Sequence, residues 1–215
     1  MRTENRNQWF TFPNQNLSIF MREAGFDLAV FDNYSAAVQR EARKEAIRVA
    51  MEMLNWAFWE QTGEDLKDLS TGVYAIRLSG GIEVQYEKGS SPLIYIGEGN
   101  VFNRLKQHYE QKLFDFMASL NGANFDFFIC EPWKKHYRNT DIHCQVEHDL
   151  LVEFAARYGG LSERYCYPLM NKIAGSNRRV EFEGDWWKRP LYRYGPQPSW
   201  TIRPLAESGF VGALD

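Results

Sequence analysis

The chain has 215 residues, enough for one sizeable domain or one domain with extensions. Its 44% hydrophobic and 25% charged content is that of an ordinary soluble globular protein. A net charge of −3 and a pI near 5.9 argue against a general nucleic-acid binder, while leaving room for a local basic patch. Three scattered cysteines, Cys130, Cys144 and Cys166, argue against a disulfide framework. With a polar N-terminus and no run near the roughly 20 apolar residues of a membrane span, the expectation is a cytoplasmic protein with no membrane partner.

Residues 1–34 are mixed, with Pro13 and several asparagines. From Ser35 to Trp59 apolar residues recur at three- and four-residue steps (Ala37, Val38, Ala46, Ile47, Val49, Ala50, Met53, Leu54, Ala57). This predicts a helix that Thr62-Gly63-Glu64 stops. Gly72–Leu78 is short and rich in β-branched and aromatic residues, and so reads as a strand. Ser79-Gly80-Gly81 breaks it, and Ile82–Tyr86 extends a hairpin before the turn Lys88–Pro92. Leu93–Gly97 is the next strand, and Asn100 is placed to cap a helix from Val101 to about Leu120.

Asn121-Gly122 marks a turn, and Phe125–Cys130 alternates as a third strand. Thr140 or Asp141 is placed to cap a helix running to about Tyr158, ended by Gly159-Gly160. From Ser176 the chain is loop-rich, with Pro190, Pro196, Pro198 and Pro204. The expected division is a helical N-terminal extension (1–65), a small α/β core (66–175) and an irregular C-terminal extension (176–215).

Two apolar stripes carry polar residues. At about 100° per residue, Val101, Leu105 and Phe116 share a helix face with His108, and Arg104 lies at its edge one turn away. Taken alone, this is a snorkelling arginine and a hydrogen-bonded core histidine. On the later helix, Leu150, Leu151, Phe154 and Tyr158 form the stripe, with Glu147 in its middle. An unpaired buried carboxylate costs several kcal/mol, so a partner is expected: water near the helix N-terminus, or a hard divalent cation. Asp149 and Glu153 point elsewhere. Glu153 is the fallback metal ligand, at the wrong angle. Cys144 adjoins His143, but no second pair completes a zinc site.

An inward carboxylate, an arginine, a histidine and strand tyrosines suit phosphodiester cleavage. Glu147 would hold a metal that stabilises the leaving oxygen, and Arg104 would neutralise the phosphate. A tyrosine or histidine would take a proton from water. Gly72-Val73-Tyr74 followed by Tyr95-Ile96-Gly97 resembles the paired strand motif of the GIY-YIG endonuclease superfamily. Arg104, His108, Glu147 (in VEHDLLVEF) and Pro168-Leu169-Met170-Asn171 come after it in that family's order, over about half the chain.

The resemblance implies an α+β fold, with a three-stranded antiparallel sheet flanked by helices. It also implies DNA hydrolysis with one divalent metal, usually magnesium, with manganese the alternative. By resemblance Tyr74 is the general base and Tyr95 positions water or phosphate. Arg104 binds phosphate, His108 assists proton transfer, Glu147 holds the metal and Asn171 orders the site. A free tyrosine has a pKa near 10, so Tyr74 needs a metal-bound water or Arg104 beside it. His108, with a reference near 6.5, needs less help, and both stay candidates for the base. The segments between Tyr74 and Tyr95 and between Glu147 and Asn171 are longer than in the simplest members. The first reads as an inserted hairpin, and the second carries YGGLSERYC.

Lys134, Lys135 and Arg138 form a basic run after the third strand, and Arg178 and Arg179 another past Asn171. Each is an ordinary solvated surface taken singly, and a phosphate-positioning element if the site is a nuclease, with Arg178 or Arg179 a base reader. Trp186, Trp187 and Trp200 read as core for the tail. Extra segments at both ends, with no zinc finger or helix-turn-helix, favour by analogy a sequence-specific restriction-type enzyme on double-stranded DNA. Two-fold sites would need a homodimer, with the helix from Ser35 as interface. The rival readings are an inactive nucleic-acid-binding module of the same fold, and an unrelated α/β protein in which Arg104 and Glu147 lie far apart.

Overall fold

A computed structural model describes residues 3–119, 124–159, 168, 170–171, 175–192 and 200–202. The expected turn at Asn121-Gly122, Leu120, Gly160, the interposed segment up to Cys166, Leu169, and Pro196, Pro198 and Pro204 lie outside these residues.

The elements are β1 (Phe10–Gln15), α1 (Leu17–Glu23), α2 (Ala36–Thr62), β2 (Gly72–Leu78), β3 (Ile82–Gln85), β4 (Ser90–Ser91), β5 (Leu93–Gly99), α3 (Val101–His108), α4 (Phe114–Ser119), β6 (Phe125–Cys130), α5 (Asn139–Tyr158) and β7 (Trp200–Ile202). The fold is α+β. Its main sheet is antiparallel throughout, in the order β1-β6-β2-β5. It therefore has four strands where three were expected.

The fourth strand, β1, comes from the N-terminal region that reads as irregular in sequence. Phe10 and Phe12 face the core, but Pro13 and Asn14 interrupt the alternation. The register slips between Phe12 and Gln15, and Asn14 takes a positive φ of 57°. An edge strand tolerates a proline and a bulge that a central strand would not, so a three-residue apolar pattern suffices here.

Central β2 is buried along its whole length and is apolar on both faces apart from the Tyr74 hydroxyl and the buried Arg77. Tyr74, Ile76 and Leu78 join one cluster with Phe10 and Phe12 of β1, the α1 and α2 faces and the α3–α4 segment. Val73 and Ala75 join another with Val146, Leu150, Leu151 and Phe154 of α5. The sheet is thus covered on both sides, and the N-terminal region shares one core with the central strands.

Ser35 caps α2 by accepting from the Val38 N–H, and Gly63 ends it with a left-handed φ of 70°. Its buried face runs through Ala42, Ala46, Ala50, Leu54 and Phe58. Val38 and Met53, expected inside, are exposed, together with Trp56 and Trp59.

The helix expected to run unbroken from Val101 is interrupted by a π-helical turn, Tyr109–Leu113. The extra residue in that turn rotates the rest of the helix by about 100°. Leu113, Phe114 and Met117 become core, and Phe116 is left half-buried. The inserted hairpin is present as β3 and β4, and β7 adds to β3 in parallel to make a second, small sheet. Trp186 and Trp187 pack against the α5 cluster, whereas Trp200 is exposed on β7, against expectation. Among the described residues no helix is long and apolar enough to cross a membrane.

Candidate active site

The site begins with a register. β2 and β5 pair so that Tyr74 stands opposite Gly97 and Ile76 opposite Tyr95. Directly opposed residues share a face, so Tyr74, Tyr95 and Gly97 point the same way. Gly97 leaves the space above itself to the two rings, which stack with centroids 5.8 Å apart. A Cβ on Gly97 would sit 2.6 Å from the Tyr74 hydroxyl and 2.6 Å from Tyr95 Cε1. Gly97→Ala is therefore expected to destabilise the fold by about 1–3 kcal/mol, the usual range for overpacking. The check is a shift in denaturant midpoint, and an unchanged midpoint would mean the ring pair does not rest on this strand.

Helix α3 starts just after β5, with Asn100 capping it through the Asn103 N–H as expected. It lays His108 over the tyrosines. The Tyr74 hydroxyl and His108 Nε2 are 2.9 Å apart, and the His108 and Tyr95 ring centroids are 4.3 Å apart. Arg104, one turn earlier and largely exposed, reaches both phenol hydroxyls.

Burial raises the Tyr74 pKa well above its ordinary 10, with the neighbouring Tyr95 adding to the rise and Arg104 opposing it. Burial, aided by Lys112 and Arg104, lowers His108 to about 4. At neutral pH both groups are uncharged.

Helix α5 covers the other face of the sheet, yet Glu147 and Arg104 meet. They do so at β5, the edge strand of the main sheet. A cavity of about 310 Å³ opens there, lined by Tyr95, Glu98, Arg104, Cys144, Glu147 and Asn171, among others. Among the described residues Glu147 has no hydrogen bond or ion pair. Burial, with the nearby Glu98 carboxylate, raises its pKa from 4.5 to about 7, opposed by Arg104 and His143.

Asn171 closes the edge. Its Oδ1 accepts the Ile96 N–H at 2.9 Å and its Nδ2 donates to the Ile96 carbonyl at 2.7 Å, so it serves β5 as a further strand would. The adjacent Met170 N–H donates to the Ile94 carbonyl. Tyr74, Tyr95, Arg104, His108, Glu147 and Asn171 thus converge, although Tyr74 and His108 stand behind Tyr95 rather than on the cavity wall. The fallback ligand Glu153 is elsewhere, bound to Arg157 at 2.8 Å with Lys188 at 3.9 Å.

The basic residues divide. Arg178 lies at the cavity side of α5, against Cys144, with its Nε 4.0 Å from Asp141. Arg138, at the start of α5, and Lys135 are exposed, as is Arg179. Lys134 is engaged otherwise: its ammonium donates to the Glu181 carbonyl and covers the Tyr137 ring.

Glu98 is the neighbour that sequence reasoning missed: it stands beside His143 and Cys144, the adjacent pair that lacked a further ligand in the sequence. Glu98 forms a 2.6 Å ion pair with His143. The hydrogen bond from His143 holds Glu98 below the usual carboxylate range, against the opposing effect of burial. Burial works to lower the His143 pKa, but Glu98 and the Asn139 carbonyl together raise it. Two signals were available: Glu98 directly follows the Tyr95-Ile96-Gly97 motif, and His143 precedes Glu147 by one helical turn.

No known protein family, curated protein or solved structure matches the chain.

Proposed function

We propose that the protein is a divalent-metal-dependent endonuclease of GIY-YIG type that hydrolyses phosphodiester bonds in double-stranded DNA. The observation that carries this reading is the meeting of an inward carboxylate, Glu147, unpartnered among the described residues, with the Arg104 guanidinium across one cavity whose wall includes Tyr95. Carboxylate oxygen with no partner among the described residues suits a hard cation such as Mg²⁺ or Mn²⁺, so the residues present fit the metal. A cation held by Glu147 would supply charge stabilisation at the leaving oxygen.

The remaining work falls to the chain. Arg104 binds the non-bridging phosphate oxygens, and its forked guanidinium offsets the charge that grows there. Tyr95 meets the attacking water at the wall. A proton leaving that water has a path inward: the Tyr95 hydroxyl lies against that of Tyr74, which is 2.9 Å from His108 Nε2. His108, kept neutral by burial, offers the accepting lone pair. This divides the role of base between the two candidates: Tyr74 conducts, and His108 receives. Arg104, beside both phenols, stabilises negative charge on either during the transfer. Asn171 keeps the β5 edge, and hence Tyr95, in register.

The phosphate track fits Arg138, Arg178, Arg179 and Lys135, which remain exposed around the start of α5. Lys134 is the weakest of the group, being tied to Glu181. Segments outside the site favour sequence-specific, restriction-type cutting by a homodimer. Stacked Trp56 and Trp59, 5.2 Å apart and exposed on α2, are the face a second copy would cover.

The test is plasmid DNA incubated with the protein and Mg²⁺, with a chelator control and the Glu147→Ala variant. Nicking or discrete fragments are expected from the parent alone. Equal activity in Glu147→Ala would remove Glu147 from the mechanism, and binding without cleavage would favour the inactive binding module.

A further inference from the structure

The α5 wall of the cavity holds a group of ligand atoms that the cleavage reaction does not use. Glu98, at the end of β5, faces His143 and Cys144, adjacent on α5. Their carboxylate, imidazole and sulfur atoms all lie within 4.8 Å of one another. His143 is buried, while Glu98 and Cys144 are half-buried and line the cavity.

The histidine is oriented from behind. Its Nδ1 is 2.7 Å from the Asn139 carbonyl, one helical turn back, and donates its N–H there. This leaves Nε2 as the outward atom, the arrangement usual for a metal-bound histidine. Nε2 in turn lies 2.6 Å from Glu98 Oε2. With the Nδ1 proton committed, two lone pairs at that separation need a positive species between them. A second proton on the ring satisfies the pair, and so does a cation that replaces it.

We propose that Glu98, His143 and Cys144 form a binding site for a borderline transition-metal ion of the Zn²⁺ class, separate from the Glu147 ligand. One oxygen, one nitrogen and one sulfur are the donors such ions take, and sulfur is foreign to Mg²⁺. Tetrahedral bonds of about 2.0–2.3 Å set ligand atoms roughly 3.4 Å apart, so Glu98 and His143 must open by under about 1 Å. Glu98 is half-exposed at a strand end and free to do so. Coordination releases the proton between His143 and Glu98 and the Cys144 thiol proton, leaving imidazole, carboxylate and thiolate on the ion. Three protein ligands leave a fourth position facing the cavity. The site stands on these contacts alone and does not depend on the nuclease reading.

The experiment is spectroscopic titration of the metal-stripped full chain with Co²⁺, which needs no DNA. Visible bands of a tetrahedral ion and a near-ultraviolet thiolate-to-cobalt band are expected. Cys144→Ser should abolish the thiolate band, and His143→Gln should weaken binding by about 10–100-fold or more. Glu147→Gln, which is expected to stop cleavage, should keep the thiolate band, so the two readings fail separately. An octahedral spectrum in the parent, a thiolate band that survives Cys144→Ser, or its loss in Glu147→Gln would overturn the assignment.

Discussion

Glu147→Gln is expected to cut cleavage by on the order of 10³-fold while making the metal-free protein more stable above neutral pH. The loss comes from removing the charge of a carboxylate that has no hydrogen bond or ion pair among the described residues. A metal's charge stabilisation is worth several kcal/mol, and each about 1.4 kcal/mol is tenfold in rate. The gain comes from linkage. Burial first, then repulsion by Glu98, lifts the carboxyl from 4.5 to about 7 in the folded protein. Below pH 4.5 the acid is protonated in both states and costs nothing. Between pH 4.5 and 7 the unfolded chain loses the proton first, so folding weakens as pH rises, and above pH 7 the full cost persists.

Full conversion of that shift would be about 3 kcal/mol, and contact with cavity water reduces it to about 2 kcal/mol. Glutamine cannot ionise and escapes the cost. For a chain of this size the variant should melt about 4–8 °C higher at pH 8 and no higher at pH 4.5. Added Mg²⁺ should raise the melting temperature of the parent at pH 8 and leave that of the variant unchanged. Thermal scans across pH, with and without metal, check both parts. A parent and variant with the same melting temperature at pH 8 would mean that Glu147 is already satisfied in the folded chain.

Arg104→Ala should lower single-turnover cleavage by about 10³-fold, and Arg104→Lys by about 10²-fold, with DNA binding in chelator changed far less. The guanidinium has two tasks. It reaches the hydroxyls of Tyr74 and Tyr95, and it lines the cavity where the phosphate would lie. A lysine keeps the charge but loses the planar fork, so it can serve one task at a time. The pH dependence separates the tasks. Arg104 opposes the rise in the Tyr74 pKa, so its loss should push the basic limb of the rate profile upward. An Arg104→Lys variant within threefold of the parent would eliminate the forked contact. A large loss with an unmoved pH profile would confine Arg104 to the phosphate.

Periodicity located β2, β5, β6, α2 and α5 to within a few residues, because each carries its pattern within one segment. Arg104, His108 and Glu147 were also legible, since spacing along a helix decides which face a side chain takes, whereas Tyr74, Tyr95 and Asn171 entered through the family resemblance. β1 was not, because three alternating residues before a proline become a strand only when β6 presents an edge to them. Nor was the π-turn after His108, which exists because Leu113, Phe114 and Met117 have a core to enter.

The chain determined by itself the set of side chains capable of the chemistry and the local elements that carry them. Which of those groups touch was a tertiary decision. α3 and α5 pack against opposite faces of the sheet, yet Arg104 and Glu147 line one cavity at the β5 edge. The β2–β5 register puts Tyr74, with His108, behind Tyr95, and the packing of α5 on the other face of β5 sets Glu98 against His143. Local spacing fixes direction within one element, whereas distance between elements depends on how the sheet ends and what covers it.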